Sequence, residues 1–340
     1  MRRVLIMKLR VLFLFTILLA LVSVHSKTTN IAEGITISGF VDTSYYSNAL
    51  DGSSTFGLDQ AEVDFEKTVE GLGGLRLDLQ HLNNTDTGDE VMEQGYVWLD
   101  LTAGTNLTFG KFNAPIGFEL GDPNEMYQFS HAMVFDYGLP GNLTGAMVSG
   151  GSGIIDFAVY AVNGWDLIAD DNKEKTIGGR IGLTPMEGVN LGVSHISGKE
   201  GAASDNLSVL DVDLTITTIE NLTIGGEFNS GTHAKASVVT AGADATWAGW
   251  LVMANYAFTD KVALTLRYDE FDDKDGARLG SGITEKRNAV TISPSYAIGD
   301  GFGVLAEYRL TKSNQKVFAD ADGNLQDSIS EMAVEFTYSF

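Results

Sequence analysis

Lys261-Val-Ala-Leu-Thr-Leu-Arg-Tyr-Asp269 alternates without a break. Val262, Leu264, Leu266 and Tyr268 fall on one side of an extended chain, and Ala263, Thr265, Arg267 and Asp269 on the other. A helix would place apolar residues three and four apart, whereas a period of two is that of a strand with two unlike faces. The same rhythm recurs along the chain. In 302–310, Phe302, Val304, Ala306, Tyr308 and Leu310 oppose Glu307 and Arg309; in 75–80, Leu75, Leu77 and Leu79 oppose Arg76, Asp78 and Gln80. In 210–216, Leu210, Val212, Leu214 and Ile216 oppose Asp211, Asp213 and Thr215; in 61–66, Ala61, Val63 and Phe65 oppose Glu62, Asp64 and Glu66. Beyond the first 26 residues, no stretch sustains a 3.6-residue period.

Alternation alone also suits a soluble sandwich, so segment length and connector rhythm carry the distinction. The pattern predicts sixteen strands near 35–46, 56–68, 73–82, 90–102, 105–112, 143–150, 154–163, 176–184, 188–198, 207–217, 221–230, 246–258, 261–271, 287–298, 302–312 and 328–340. Most have the length that a tilted strand needs to cross a bilayer, roughly 9–11 residues. After the first strand the connectors are expected to alternate short and long. Gly-Ser-Gly at 151–153, Pro-Met-Glu at 185–187, Thr-Asp at 259–260 and Gly-Asp-Gly at 299–301 are short; 113–142, 164–175, 231–245, 272–286 and 313–327 are long. Transmembrane barrels have this asymmetry between tight turns at one rim and long loops at the other. The expected fold class is therefore all-β, a transmembrane antiparallel up-and-down β-barrel of sixteen strands.

Composition narrows the functions open to such a barrel. The 340-residue chain has no cysteine, which removes disulfide scaffolds, thiolate metal sites and cysteine nucleophiles. A net charge of −23 argues against nucleic acid as a partner, which calls for a basic face. A mean hydropathy of +0.03 argues against a bundle of apolar helices, yet it is what lipid and lumen faces average to in a barrel. Arg2, Arg3, Lys8 and Arg10 precede the apolar run 11–22, followed by Val24-His25-Ser26. That is the order and length of a secretory signal peptide, placed at 1–26 and cleaved on export. Its loss leaves 18 basic against 45 acidic residues, a net charge of −27. A short lead-in, 27–34, and a single barrel domain, 35–340, follow.

At the other end Met332, Val334, Phe336, Tyr338 and Phe340 alternate up to a terminal phenylalanine. This resembles the C-terminal strand of bacterial outer-membrane proteins, and the resemblance implies that Phe336, Tyr338 and Phe340 are read by the barrel-insertion machinery. Ile37-Ser-Gly-Phe-Val-Asp-Thr43, Phe109-Gly-Lys-Phe-Asn-Ala-Pro-Ile-Gly-Phe-Glu119 and Asn163-Gly-Trp-Asp166 resemble OmpL-like β-barrel porins, relatives of phosphate-selective and general diffusion porins. The resemblance spans 35–340. It implies a bacterial outer-membrane location among lipid and lipopolysaccharide, a water-filled pore for small hydrophilic solutes and, by analogy with other sixteen-stranded porins, a homotrimer. The chain departs from phosphate-selective pores, which need a lysine- and arginine-lined channel.

Selectivity is expected in the longest connector, 113–142, which carries Glu119, Asp122, Glu125 and Asp136 and neither lysine nor arginine. General porins fold their third loop into the lumen against wall arginines; the inward wall face here offers Arg76, Arg180, Arg267 and Arg309. The alternative leaves the loop over the mouth, with the arginines paired to wall carboxylates. Inward positions also include Asp42, Glu62, Asp64, Glu66, Asp78, Asp100, Asp211, Asp213, Glu227, Asp269, Glu307, Glu331 and Glu335, an acid excess that predicts modest cation preference.

Other signals are weaker. Asp320, Asp322 and Asp327 resemble part of a calcium loop and could hold an external divalent cation, although the full twelve-residue pattern is lacking; no other cofactor is expected. His81, His131, His195 and His233 show no ligand spacing. No nucleophile with an oriented base stands out, so catalysis is not expected. Two readings compete with a diffusion pore: a structural or adhesive surface barrel with a plugged lumen, and an enzyme embedded in a barrel.

Overall fold

The structure is a computed structural model that describes residues 29–82, 91–102, 104–201 and 205–340. The expected signal peptide, 1–26, lies outside them. Sixteen strands form the wall: β1 Ile35–Asn48, β2 Ser54–Val69, β3 Gly73–Leu82, β4 Met92–Thr102, β5 Thr105–Asn113, β6 Asn142–Ser152, β7 Ile155–Val162 and β8 Thr176–Met186. They continue with β9 Val189–Glu200, β10 Asp205–Ile219, β11 Leu222–His233, β12 Ala245–Ala257, β13 Val262–Asp273, β14 Glu285–Gly299, β15 Phe302–Ser313 and β16 Ser328–Ser339. Each pairs antiparallel with the next, and β16 pairs with β1 from Glu331↔Asn48 to Ser339↔Phe40. The sheet thus closes, which leaves no edge unpaired in lipid.

Alternation sorts the side chains as expected. Val262, Leu266, Val252, Val290, Tyr308, Val334 and Phe336 face outward, while Thr265, Arg267, Asp269, Glu307 and Arg309 are buried within. Aromatic pairs gather near the short-turn rim: Phe302 and Tyr338 at 4.3 Å between ring centres, Tyr256 and Phe258 at 5.0 Å. Such belts suit a membrane interface. The backbone of Phe340 exchanges hydrogen bonds with Gly39, so the chain's last residue helps close the barrel.

Three features differ from the sequence expectation. Strands run further toward the long-loop rim, so 201–204 spans four residues, no more than the turn at 258–261; the alternation of connector length is incomplete because the strands themselves protrude. The lead-in contains a short strand, Thr29–Ala32, that turns back at Gly34 to pair with the start of β1. Third, the inward face is not uniformly polar. Tyr160, Val162, Ile196, Leu207, Val209, Trp247, Leu251, Met253 and Phe271 point inward toward the long-loop end and join one apolar cluster.

That cluster exists because 114–141 supplies its other half. Ile116, Ala132, Met133, Val134 and Leu139 from this segment are buried in the same cluster. Its ends are adjacent, with Ala114 N–H donating to Gly141 O at 2.9 Å, and between them lie a 3-10 turn, Pro123–Glu125, and one helix, α1 Met133–Gly138.

Candidate functional site in the barrel lumen

The internal segment is anchored by charge at the middle of the wall. Arg267 on β13 is buried, 2% exposed, and its guanidinium donates to Glu119 Oε1 at 2.6 Å, Ser130 O at 2.6 Å, Ser130 Oγ at 3.1 Å and His131 O at 3.1 Å. Its neighbour Asp269 lies 3.4 Å away and accepts Met133 N–H at 3.1 Å, while Arg309 on β15 donates to His131 O at 2.6 Å. Glu119 also accepts Ala132 N–H at 2.7 Å, and Glu307 accepts Phe129 N–H at 3.0 Å. Buried charges are tolerable only when paired and hydrogen-bonded on most sides, which the fork of Arg267 achieves.

Packing finishes what the charges begin. Phe118 lies against Gly225 of β11 so closely that any Cβ there would overlap its ring; Phe118 N–H donates to Glu227 at 2.7 Å. At the rim Arg278 is held between Trp165, 4.9 Å, and Trp247, 4.8 Å, and donates to Tyr137 O at 2.6 Å, tying α1 to two outer loops.

The other predicted arginines pair with carboxylates of the wall. Arg76 pairs with Asp78 at 2.8 Å, and Arg180 pairs with Asp213. Asp211 is fully buried with both carboxylate oxygens unpaired among the described residues. Of the loop acids, Glu119 is consumed by Arg267, whereas Glu125 and Asp136 are exposed to solvent. Asp122 sits deeper; burial first, then the charges of Glu93 and Glu125, push its carboxyl well above the ordinary aspartate range. Among the described residues, Asp320, Asp322 and Asp327 do not form a converging group; Asp320 accepts Asp322 N–H at 3.0 Å and Asn324 N–H at 2.8 Å inside its own loop.

Two lumenal acids escaped the sequence reading. In β2 the register with β1 jumps between Asp42↔Gln60 and Thr43↔Leu58, leaving Asp59 extra; in β4 the register with β3 jumps from Asp78↔Gln94 to Leu79↔Met92, leaving Glu93 extra. A bulge turns two successive side chains to one face. Asp59 thereby joins Asp42 and Glu335, and Glu93 joins Glu62 and Asp122. The broken alternation at Leu58-Asp59-Gln60 and Met92-Glu93-Gln94 was the only signal for it. One side of the lumen, along β1–β4, is thus lined by carboxylates, and the opposite side is filled.

A closed sixteen-strand barrel with a chain segment folded into its lumen invites comparison with known pores. The family model described as "Putative beta-barrel porin-2, OmpL-like" matches residues 34–340. The chain belongs to this family. It is therefore an OmpL-like β-barrel porin-family protein of the bacterial outer membrane. Solved structures share its fold. OmpF of Salmonella typhi in complex with daunomycin is 11% identical, with 92% of this chain and 100% of that chain covered and a TM-score of 0.69. The anion-selective porin of Comamonas acidovorans is 12% identical, with 90% and 99% covered and a TM-score of 0.64. The trimer form of OmpT, an outer-membrane protein of Vibrio cholerae, is 16% identical, with 90% and 99% covered and a TM-score of 0.63. No curated protein matches the chain.

Proposed function

We propose that this porin-family barrel is a water-filled channel for passive diffusion of small hydrophilic solutes and ions, with modest cation preference, and that it works as a channel rather than an enzyme. The observation that carries the reading is the asymmetry of the lumen. Asp42, Asp59, Glu62, Asp64, Asp78 and Glu93 gather on the β1–β4 side, where Asp122 of the internal segment meets the wall, and Glu125 and Asp136 face solvent from the segment itself. A negative ring in a narrow, low-dielectric passage concentrates cations and repels anions. The anion-selective porin among the structural neighbours shares the backbone architecture, so the sign of selectivity rests on lining residues and not on the fold. A homotrimer is part of the proposal, supported by the trimer form of a neighbour.

The reversal potential in a salt gradient across a planar bilayer tests it: potassium over chloride is expected, and a clear preference for chloride would overturn it. Replacing Glu119, Asp122, Glu125 and Asp136 together should weaken that preference. A second reading, a plugged structural barrel, draws on the apolar lumenal cluster around Met133, Trp247 and Phe271. It predicts no stepwise current, whereas a channel gives uniform increments.

A further inference from the structure

Three carboxylates from three separate parts of the chain meet where the internal segment touches the acidic wall. Glu62 of β2, Glu93 of β4 and Asp122 of the segment each bring an oxygen within 4.8 Å of the others. Proximity of acids alone would mean little, but one of these side chains lacks its ordinary partner. Glu93 is buried, 8% exposed, and its side chain lies against that of Glu62. Asp122 precedes the 3-10 turn Pro123–Glu125, where an aspartate ordinarily caps the turn with its side chain. It makes no such bond, and its Oδ1 is buried without a donor. A buried carboxylate with no donor and two carboxylate neighbours is costly unless a cation balances it.

We propose that Glu62, Glu93 and Asp122 form a binding site for one hard divalent cation, calcium or magnesium. The donor set decides the class: every ligand is a carboxylate oxygen, the preference of hard cations, with no imidazole or thiolate to favour zinc or copper. Water completes the coordination, since three side chains fall short of the six to eight ligands of calcium. The bulge at Glu93 is what makes the site, because regular pairing would leave only Gln94 facing inward. An ion here clamps the internal segment to β2 and β4, opposite the Arg267 anchor, so the segment is held from both sides. It also neutralises part of the acidic lining. That second consequence rests on the channel reading; the site itself does not.

The test uses the full folded protein in detergent, stripped with chelator and titrated separately with calcium chloride and magnesium chloride in a calorimeter. One saturable site per chain is expected. Glu93→Gln and Asp122→Asn should each weaken it at least tenfold, while Asp320→Asn leaves it unchanged. Glu93→Gln removes an uncompensated buried charge, so folding is expected to survive, and heat-dependent electrophoretic mobility verifies this. Absence of saturable binding, or native affinity in both lumenal variants, overturns the site. In bilayers, calcium should lower cation preference in the native protein but not in Glu93→Gln. Binding by a protein that passes no current keeps the site and overturns the channel reading.

Discussion

Arg267 shows how much one residue decides and how much of that its sequence position could reveal. Alternation in 261–269 placed it inward, and the structure agrees, with the side chain fully buried. Its partners come from Glu119, Ser130 and His131, more than 130 residues upstream, and no local pattern encodes such a meeting. Removing one member of a buried ion pair typically costs about 3–5 kcal/mol, because the survivor stays charged and desolvated. Arg267→Ala would leave Glu119 without its guanidinium partner and Asp269 with Arg309 alone, 3.5 Å away. The expected result is earlier thermal unfolding together with noisy, flickering current steps as the segment loosens. Arg267→Lys should recover little of this, since an ammonium lacks the planar fork that reaches several acceptors at once. Thermal unfolding followed by circular dichroism and single-channel recording check both variants; a lysine variant that behaves as native would refute the need for the fork.

Among elements, the strands were legible and the lumenal contents were not. The lipid face of β13 is apolar at every second residue from Val262 to Tyr268, so lipid and water together impose a period that survives in one sequence. Residues 246–257 hide their interior role because Trp247, Leu251 and Met253 point inward while Trp250 and Val252 point to lipid, leaving apolar residues on both faces. The segment 114–141 explains the inward ones; its length, its acids and its likeness to the third loop of general porins pointed it at the lumen, but nothing in it told which apolar wall residues it would cover. It is held by shape as well as charge. Gly225 makes room for Phe118, so Gly225→Leu should expel that ring, shift the segment and change the conductance step without opening the barrel. Arg278 is the rim fastening; Arg278→Ala forfeits two cation–π contacts and the Tyr137 hydrogen bond, about 1–3 kcal/mol together. Fluorescence of Trp165 and Trp247 should then change along with a lower unfolding temperature. Unaltered fluorescence would show that the rings do not depend on the guanidinium between them.

At the scale of the molecule, the barrel and its contents are separable, and this separability decides between a channel and a plug. The segment begins and ends at paired residues, Asn113↔Asn142, with the Ala114–Gly141 hydrogen bond just beyond. Replacing 116–139 with a short turn therefore asks β5 and β6 to do nothing new, and loop-closure entropy changes slowly with length. The truncated protein is expected to fold and to show heat-dependent mobility like the native one. Its lumen would lose Met133, Val134, Leu139 and the Glu119 charge while keeping Arg267, Arg309 and the carboxylates of β1–β4. Two effects follow from that change in lining. Conductance should rise, because the filled half of the cross-section becomes water. Cation preference should fall, because Arg267 and Arg309 would face the passage with fewer acids to balance them. A native protein that conducts nothing and a truncated one that conducts freely would identify the segment as a plug. Equal conductance in the two would mean that ions already pass elsewhere, and the acidic side along β1–β4 would not be the path.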